Sequence, residues 1–163
     1  PILAMVNVGE DDIPKPAAEV LARFRLPVAG IPTFACCAKS EGEIQAMPEA
    51  DRKDFREMLG VREPVLDIMV REVYRALGLV SFLTTGEDEC RAWTIRRGTP
   101  APRAAGAIHA DIEKGFIRAE VIAYDDFIAL GSEAAAKKAG KYRLEGREYV
   151  VQDGDIVHFR FNV

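Results

Sequence analysis

The sequence predicts an α/β unit followed by an α+β unit, with the boundary near Gly78. In the first unit, two short apolar runs, 2–6 and 33–37, flank a helical pattern, and this strand–helix–strand order is typical of α/β folds. After Gly78 the chain changes to short runs rich in β-branched and aromatic residues, separated by turn residues. We therefore expect two domains, residues 1–77 and residues 78–163.

The first unit is predicted to begin with a strand over 2–6, because this run is continuous and apolar, as in parallel strands covered on both faces. Hydrophobic periodicity and terminal proline or glycine predict the later elements. In chain order, they are a helix from Pro14 and Pro16 to Phe24, a strand over 33–37, a loop over 39–43, and helices over 48–59 and 64–77. The last helix has one apolar face, formed by Leu66, Met69, Val70, Val73 and Leu77.

The second unit is predicted to be a small mixed sheet that holds a helix. The signals are apolar or alternating runs for the strands, glycine-containing turns between them, and a helix rich in alanine and lysine. In chain order, the predicted elements are a hairpin of strands 80–84 and 90–95, a short helix over 103–111, a strand over 115–123, a helix over 133–139, and strands over 142–144, 149–151 and 156–161.

Composition predicts a soluble, cytoplasmic protein. No apolar run approaches the roughly 20 residues that span a bilayer, and no basic segment precedes an apolar stretch, so neither an anchor nor a secretory signal is expected. The net charge of −4 argues against a surface that coats nucleic acid, and DNA is not an expected partner. The three cysteines form no metal motif, so no metal site is predicted and mostly buried, reduced thiols are expected. Because Pro1 opens directly into an apolar run, we expect a fragment or the ordered remainder of a longer protein.

Two polar segments follow the two predicted strands of the first unit. Asn7, Val8 and Glu10 come directly after the first strand, and Cys37 and Ala38 follow the second. Ligands of open α/β sheets bind beyond the carboxyl ends of the strands. The first segment resembles the base-reading Asn-x-x-acid motif of P-loop NTPases, and Cys37-Ala38-Lys39 resembles their Ser-Ala-Lys loop, so the resemblance implies a nucleotide base-binding site at these five residues. An amide such as that of Asn7 pairs with a purine edge, and a carboxylate such as that of Glu10 accepts from ring or exocyclic NH groups. The alternative is that the first segment is only a polar turn.

These segments and several runs in the second unit carry a resemblance to a known family. The matching runs are 7–12, 86–87, 91–95, 98–99, 104–106, 108–109, 113–121 and 151–155. The run 113–121, Glu-Lys-Gly-Phe-Ile-Arg-Ala-Glu-Val, is specific. The chain resembles the C-terminal portion of YchF-type NTPases of the Obg family. By this resemblance, residues 1–77 are the C-terminal part of a Rossmann-like P-loop NTPase domain, and residues 78–163 are a β-grasp (ubiquitin-like) TGS domain.

The resemblance implies a protein that binds a purine nucleotide, hydrolyses ATP or GTP with Mg²⁺, and associates with the ribosome. Glu10 fits the family's Asn-x-x-Glu base motif, which is associated with relaxed guanine specificity and a preference for ATP. Val8 stands where typical GTPases have a lysine whose stem packs on the purine. Cys37 departs from the family's Ser-Ala-Lys loop, where the expected contact is through the backbone.

The phosphate-binding half of a nucleotide site is missing from these residues. Hydrolysis needs a glycine-rich loop with a lysine and a serine or threonine on Mg²⁺, and no G-x-x-x-x-G-K-[ST] run occurs. In the family this loop precedes the base motif, so it and the Mg²⁺ ligands are expected upstream of Pro1. We therefore predict no catalytic residue within the chain and expect the chain alone to be inactive.

Four arginines of the second unit are candidates for contact with RNA or the ribosome: Arg91, Arg96, Arg97 and Arg103. They lie within thirteen residues that contain no acid, and Trp93 lies among them, a composition that suits phosphate contact and base stacking. The alternatives are that Trp93 is a core residue and that Glu87, Asp88 and Glu89 pair with the arginines. A second hypothesis for the whole chain is therefore a non-enzymatic TGS module that binds RNA or protein.

Overall fold

The computed structural model of the protein describes residues 1–13, 15, 17–24, 30–61, 63–86 and 89–162. The chain divides into two compact units, Pro1–Leu77 and Gly78–Val163. No helix within the described ranges is both long and apolar enough to cross a membrane. The predicted helix start at Pro14 and Pro16 and the acidic pair Glu87 and Asp88 lie outside the described residues.

The first unit contains a two-stranded parallel sheet together with helices. Its elements are β1 (Ala4–Asn7), a 3-10 turn (Glu10–Asp12), α1 (Ala17–Ala22), β2 (Thr33–Cys36), α2 (Ala38–Ala46), α3 (Glu49–Leu59) and α4 (Val65–Leu77). The strands pair in register from Ala4 opposite Thr33 to Asn7 opposite Cys36. Because α1 lies between two parallel strands in the sequence, the predicted strand–helix–strand order is confirmed.

β1 is half-buried, which corrects the prediction that both of its faces are covered. Its side chains alternate between partly buried and exposed, and Met5 is 53% exposed. Successive side chains of a strand point to opposite faces. The apolar run therefore predicted the strand correctly. The prediction that both faces of the strand are buried was wrong, because the described residues bury only one of them.

α2 replaces the loop that the sequence predicts over 39–43. Gly42 and its polar neighbours resemble a loop, yet a glycine inside a helix costs only about 1 kcal/mol relative to alanine. Burial offsets this cost, because Ser40 and Ile44 of α2 are only 1% and 0% exposed. Tertiary packing thus overrides local composition in this segment.

α3 and α4 confirm the two amphipathic helices predicted at the end of the first unit. Gly60 ends α3 in the left-handed region with a φ of 73°, a conformation that glycine adopts without a steric penalty. The apolar face predicted on α4 is exposed in the structure. Its members are between 37% and 53% exposed, and they are Leu66, Met69, Val70, Val73 and Leu77. Periodicity identifies this helix but not what surrounds it.

The second unit is built on a five-stranded mixed sheet. Its elements are β3 (Leu79–Thr85), β4 (Cys90–Arg96), α5 (Ala101–Gly106), α6 (Ala110–Lys114), β5 (Phe116–Ala123), α7 (Tyr124–Leu130), α8 (Glu133–Lys138), β6 (Arg143–Glu145) and β7 (Asp155–Phe161). The strand order is β4-β3-β7-β5-β6. β3 and β7 are parallel, and the other neighbouring strands are antiparallel.

Two clusters of buried side chains stabilise this sheet. The larger one joins the alanines of α5 to aromatic and branched residues of the strands, and Phe82 lies edge-on to Phe159 with ring centroids 5.8 Å apart. Ala104 and Ala105 are fully buried, so α5 lies against the sheet without intervening large side chains. The smaller cluster joins Ile122 and Ile156 to Ala136 of α8. The predicted mixed sheet that holds a helix is confirmed.

Two local predictions for the second unit are wrong, and one of its helices was not predicted. The helix expected over 103–111 is divided into α5 and α6, because His109 has an extended backbone and its Nδ1 accepts a hydrogen bond of 3.2 Å from the N–H of Asp111, which begins a new helix. α7 was not predicted, although it follows β5 directly. The strand expected over 149–151 is only an isolated bridge between Val150 and Pro100.

Candidate nucleotide-base site

A hydrogen bond joins the two segments that the sequence predicts as base-binding loops. Asn7 is the last residue of β1, and its Oδ1 accepts from the backbone N–H of Ala38 at 3.0 Å. Next to it, the N–H of Val8 donates to the carbonyl oxygen of Cys36 at 2.9 Å. The ends of β1 and β2 are therefore held together by one side-chain and one backbone hydrogen bond.

The partner of Asn7 is the first residue of α2, whose N–H has no acceptor within its own helix. The first N–H groups of a helix need acceptors from outside the helical ladder. Cys37 precedes α2 but makes no side-chain cap, and Asn7 supplies an oxygen from the neighbouring strand instead. The predicted loop Cys37-Ala38-Lys39 is thus only one residue long, because helix α2 begins at Ala38.

A pocket of about 330 Å³ opens between the two segments. Its size is at the lower end of the range of roughly 300–1,000 Å³ that is typical of small-molecule sites. It is lined by Asn7, Val8, Gly9, Glu10, Asp11, Cys37 and Lys39. Four of the five predicted base-binding residues line this pocket. Ala38 is not one of them, and its N–H is already used by Asn7.

Lys39 is a pocket residue that the sequence analysis missed. Its Nζ lies 2.9 Å from Oε1 of Glu10 and 3.9 Å from Oε1 of Glu43. The hydrogen bond to Glu10 and the charges of Glu10 and Glu43 raise the pKa of Lys39, so it stays a cation. The side chains of Lys39 and Glu10 are 69% and 48% exposed, so both remain accessible from solvent. Lys39 stands at the lysine position of the Ser-Ala-Lys loop to which this segment is similar, and that match was the signal in the sequence.

The two aspartates beside the pocket differ in their surroundings. Asp11 is exposed and lines the pocket. Asp12 forms ion pairs with Lys15 and Arg23, and the side chain of Asp12 is only 16% exposed. Hydrogen bonds from Lys15 and Arg23 lower the pKa of Asp12. Asp12 therefore connects the 3-10 turn to Arg23, the residue that follows α1. Asp11 is exposed and remains accessible to a ligand.

The cysteines are free thiols in three different environments. Cys37 is buried and accepts a hydrogen bond of 3.4 Å from the hydroxyl of Ser40, whereas Cys36 is half-buried. Burial raises the pKa of Cys36, which disfavours its thiolate. Cys90 is exposed. No cluster of histidine, cysteine or carboxylate side chains suited to a metal ion occurs in the described parts of the chain.

The structure separates the four candidate arginines into two kinds. Arg91 lies over the ring of Trp93 at 4.3 Å and 4.0 Å from Glu89, and Arg103 pairs with Glu113 at 3.1 Å. Arg96 and Arg97 are exposed at the end of β4, and neither has an acidic partner among the residues that the structure describes. Arg96 and Arg97 are thus the pair best placed for phosphate contact.

Trp93 is half-buried against the core of the second unit. Its indole Nε1 donates a hydrogen bond of 2.9 Å to the hydroxyl of Thr84, and its ring packs against the larger buried cluster. Arg91 covers one side of the ring. Trp93 therefore offers no free face of the kind that a stacked base requires.

A buried carboxylate in the second unit was also missed. Asp155 is 2% exposed and accepts hydrogen bonds from the hydroxyl of Tyr149 at 2.6 Å and from the N–H of Gln152 at 2.8 Å. Nη2 of Arg143 lies 3.4 Å from its other oxygen. Asp155 belongs to the family-like run 151–155, and its contacts with Tyr149 and Gln152 give this residue a structural role at the start of β7.

Comparison with known proteins assigns the chain to a family. A family model described as "YchF-GTPase_C: Protein of unknown function (DUF933)" matches residues 79–162, which is more than half of the chain. The chain belongs to the YchF family. The resemblance drawn from the motifs is confirmed by this match.

Two relatives in the YchF family match the first unit as well as the second. The ribosome-binding ATPase YchF of Bacillus subtilis is 49% identical over 166 residues, covering 100% of this chain and 45% of the relative. The Obg-like ATPase 1 of Caenorhabditis elegans is 44% identical over 166 residues, covering 99% of this chain and 42% of the relative. The chain therefore spans less than half the length of these YchF-type relatives.

Solved structures show the same mixed α/β architecture. The YchF GTPase of Schizosaccharomyces pombe superimposes with a TM-score of 0.78 at 34% identity, covering 98% of this chain and 43% of that one. A GTP binding protein of Pyrococcus horikoshii OT3 superimposes with a TM-score of 0.65 at 16% identity, covering 99% of this chain and 46% of that one. The second likeness shows the fold alone. The first comparison supports a YchF-type arrangement of helices and sheet, and the second supports the mixed α/β fold.

Proposed function

We propose that this chain carries the base-recognition segments and the TGS domain of a YchF-type protein that hydrolyses ATP or GTP and associates with the ribosome. The observation that carries the proposal is the hydrogen bond between Asn7 and Ala38, which joins two strand ends around a pocket. Strand ends of this kind are where α/β sheets bind ligands. The name of the Bacillus subtilis relative, ribosome-binding ATPase, supports both the nucleotide hydrolysis and the ribosome association in this proposal.

In this proposal the two units have different roles. Residues 1–77 are the C-terminal part of a Rossmann-like P-loop NTPase domain, supported by the parallel pair β1 and β2 with α1 between them in sequence. Residues 78–163 are a β-grasp TGS domain, supported by the mixed sheet that holds α5. We expect the intact protein to be cytoplasmic, because the ribosome is its partner.

The base would be recognised by an amide and a carboxylate. Asn7 uses its oxygen for Ala38, and its Nδ2 has no partner in the described part of the chain, so Nδ2 can donate to a purine nitrogen or oxygen. Glu10 can accept from a purine NH group. Val8 and Cys37 line the pocket and supply apolar contact. Mg²⁺ and the phosphates would be bound by a P-loop outside these 163 residues, since no G-x-x-x-x-G-K-[ST] run occurs within them.

Calorimetry with ATP and GTP tests the nucleotide proposal. The protein would be compared as the 163-residue chain and as a longer form that includes an upstream P-loop, each with Asn7→Ala and Glu10→Ala variants. We expect micromolar binding by the longer form only, about 8 kcal/mol in binding free energy, and weaker or re-ranked binding in both variants. If the longer form binds neither nucleotide, the hydrolase proposal is wrong.

Contact with ribosomal RNA is proposed through Arg96 and Arg97, with Arg91 and Arg103 as weaker candidates because both already have partners. Cosedimentation with ribosomes at several salt concentrations tests this part. The double variant Arg96→Ala and Arg97→Ala should bind ribosomes more weakly than the wild type. The plot of log binding constant against log salt concentration should also be less steep for this variant, by about 1 to 2 in slope. Arg118→Ala is the control, since it removes one exposed arginine from a different strand of the same unit.

The alternative function is a non-enzymatic TGS module that binds RNA or protein. In that case the first unit would serve only as structural support, and Asn7 and Glu10 would contact no base. Ribosome cosedimentation that depends on Arg96 and Arg97, together with no nucleotide binding by the longer form, would establish this alternative.

A further inference from the structure

We propose that the first unit binds a small molecule with an apolar body and one cationic amine, in a cavity other than the base pocket that contains Asn7 and Glu10. The cavity has a volume of about 470 Å³, which lies within the range of roughly 300–1,000 Å³ that is typical of small-molecule sites. The described residues that line it all belong to the first unit. The inference does not depend on the proposed nucleotide-binding function, because a different carboxylate anchors the ligand.

Much of the cavity wall is apolar. α1, β2 and α4 contribute aliphatic side chains that are buried or half-buried, and these are Val20, Ala35, Val65 and Ile68. Such a wall binds an apolar body, because apolar surface of both partners is removed from water. The charged residues of the wall are three carboxylates and one ammonium group, on Asp12, Glu41, Glu63 and Lys15. This excess of negative charge disfavours a phosphate or a carboxylate in the cavity.

Most polar groups of the wall already have partners. The hydroxyl of Ser40 donates to Sγ of Cys37 at 3.4 Å. The ion pairs are Asp12 with Lys15 and Arg23, and Glu63 with Arg71. These groups need no ligand to satisfy them, so they do not define its chemistry.

Glu41 has one carboxylate oxygen left for a ligand. Its Oε1 accepts from the N–H of Val65, the first residue of α4, at 3.1 Å, and Oε2 has no partner among the described residues. Glu41 is half-buried, and Cys36 lies near it in the wall, since burial and then the charge of Glu41 raise the pKa of Cys36. A carboxylate in apolar surroundings suits an amine, because a charge-assisted hydrogen bond is stronger where the local dielectric is low.

Three probes test the requirement for a cation. Tryptamine, tryptophol and indole-3-acetate share an indole body and differ in carrying an amine, a hydroxyl or a carboxylate. NMR titration of the longer form that includes the P-loop measures each dissociation constant. We expect tryptamine to bind with a dissociation constant of about 1 mM or tighter, tryptophol to bind about tenfold more weakly, and indole-3-acetate not to bind.

Variants separate this cavity from the base pocket. Glu41→Gln keeps an oxygen for the N–H of Val65 and removes the charge, so tryptamine should then bind no better than tryptophol. Glu43→Gln removes an exposed acid of the same helix outside the wall and should leave the affinity within about twofold. If Glu10→Gln weakens tryptamine binding and Glu41→Gln does not, the probe binds in the base pocket and the inference is wrong.

Cys36 reports occupancy directly, because it lines this cavity and is not among the residues that line the base pocket. Tryptamine at about ten times its dissociation constant leaves about a tenth of the sites open, so modification of Cys36 by methyl methanethiosulfonate should slow about tenfold. Cys90 is exposed and should react at an unchanged rate. An unprotected Cys36, or equal affinities for tryptamine and tryptophol, overturns the inference. Neither result affects the proposed nucleotide binding, which calorimetry with ATP and GTP tests separately.

Discussion

Asn7 Oδ1 accepts a hydrogen bond from the backbone N–H of Ala38 at 3.0 Å, although the two residues are separated by 31 positions in the sequence. The bond uses the acceptor of the amide, and its Nδ2 donor has no partner among the residues that the structure describes. One side chain can therefore order the site and contact a ligand. The two roles can be separated by substitutions that keep or remove the oxygen.

Asn7→Ala should lower the free energy of unfolding by about 1 kcal/mol, because the N–H of Ala38 loses its acceptor. Asn7→Asp keeps an oxygen for Ala38 and should retain most of this stability, but it loses the donor and should bind purine nucleotides more weakly. Urea denaturation and calorimetry measure the two effects. Equal stability of Asn7→Ala and the wild type would show that the bond contributes nothing.

Asp155→Ala should be strongly destabilising, by about 3 kcal/mol, because it leaves the hydroxyl of Tyr149 and the N–H of Gln152 without their acceptor in a buried turn. Glu148→Ala is the matched control, since Glu148 is an exposed acid a few residues earlier. The control should change stability by no more than about 0.5 kcal/mol. Similar losses in both variants, measured by urea denaturation, would contradict a structural role for Asp155.

Tyr149 should give the protein a pH dependence at alkaline pH. Burial and the hydrogen bond donated to Asp155 raise the pKa of Tyr149 to about 12 from an ordinary value of 10.0. Because the folded pKa is the higher one, the stabilisation is complete below the ordinary value and is lost as pH rises toward the folded value. The stability difference between the wild type and Tyr149→Phe, measured by urea denaturation, should therefore shrink from about pH 10 toward about pH 12. A difference that is independent of pH would disprove this coupling.

Gly115→Ala should destabilise the second unit by about 2 kcal/mol or more, because a Cβ at this position would lie 2.0 Å from the backbone oxygen of Asn162. The same residues are joined by a hydrogen bond of 2.9 Å from the N–H of Asn162 to the carbonyl oxygen of Gly115. Gly146→Ala is the control, since a Cβ at residue 146 would meet no atom of the described residues within 4 Å. Thermal denaturation should separate the two variants, and equal melting temperatures would refute the close approach.

Some features of the candidate site could be predicted from the sequence and others could not. Asn7 and Glu10 were identified because they follow an apolar run, and the structure brings both to one pocket with Cys37. Lys39 was not among the predicted site residues, because its contact with Glu10 joins positions 29 apart in the sequence. The base contact predicted for Ala38 stays a prediction, and its N–H is bonded to Asn7 in the structure. The segment 39–43 was misassigned because burial of Ile44, which stabilises α2, is not visible in local composition.

By itself, the sequence determined where most strands and helices lie and which family the chain resembles, because hydrophobic period, proline, glycine and short motifs are local properties. Only the tertiary structure decided which polar groups meet: Asn7 with Ala38, Lys39 with Glu10, Arg103 with Glu113, and Tyr149 with Asp155. The reason is physical. Hydrogen bonds and ion pairs depend on distances of a few ångströms between segments that are remote in the chain, and those distances are set by the packing of the whole unit.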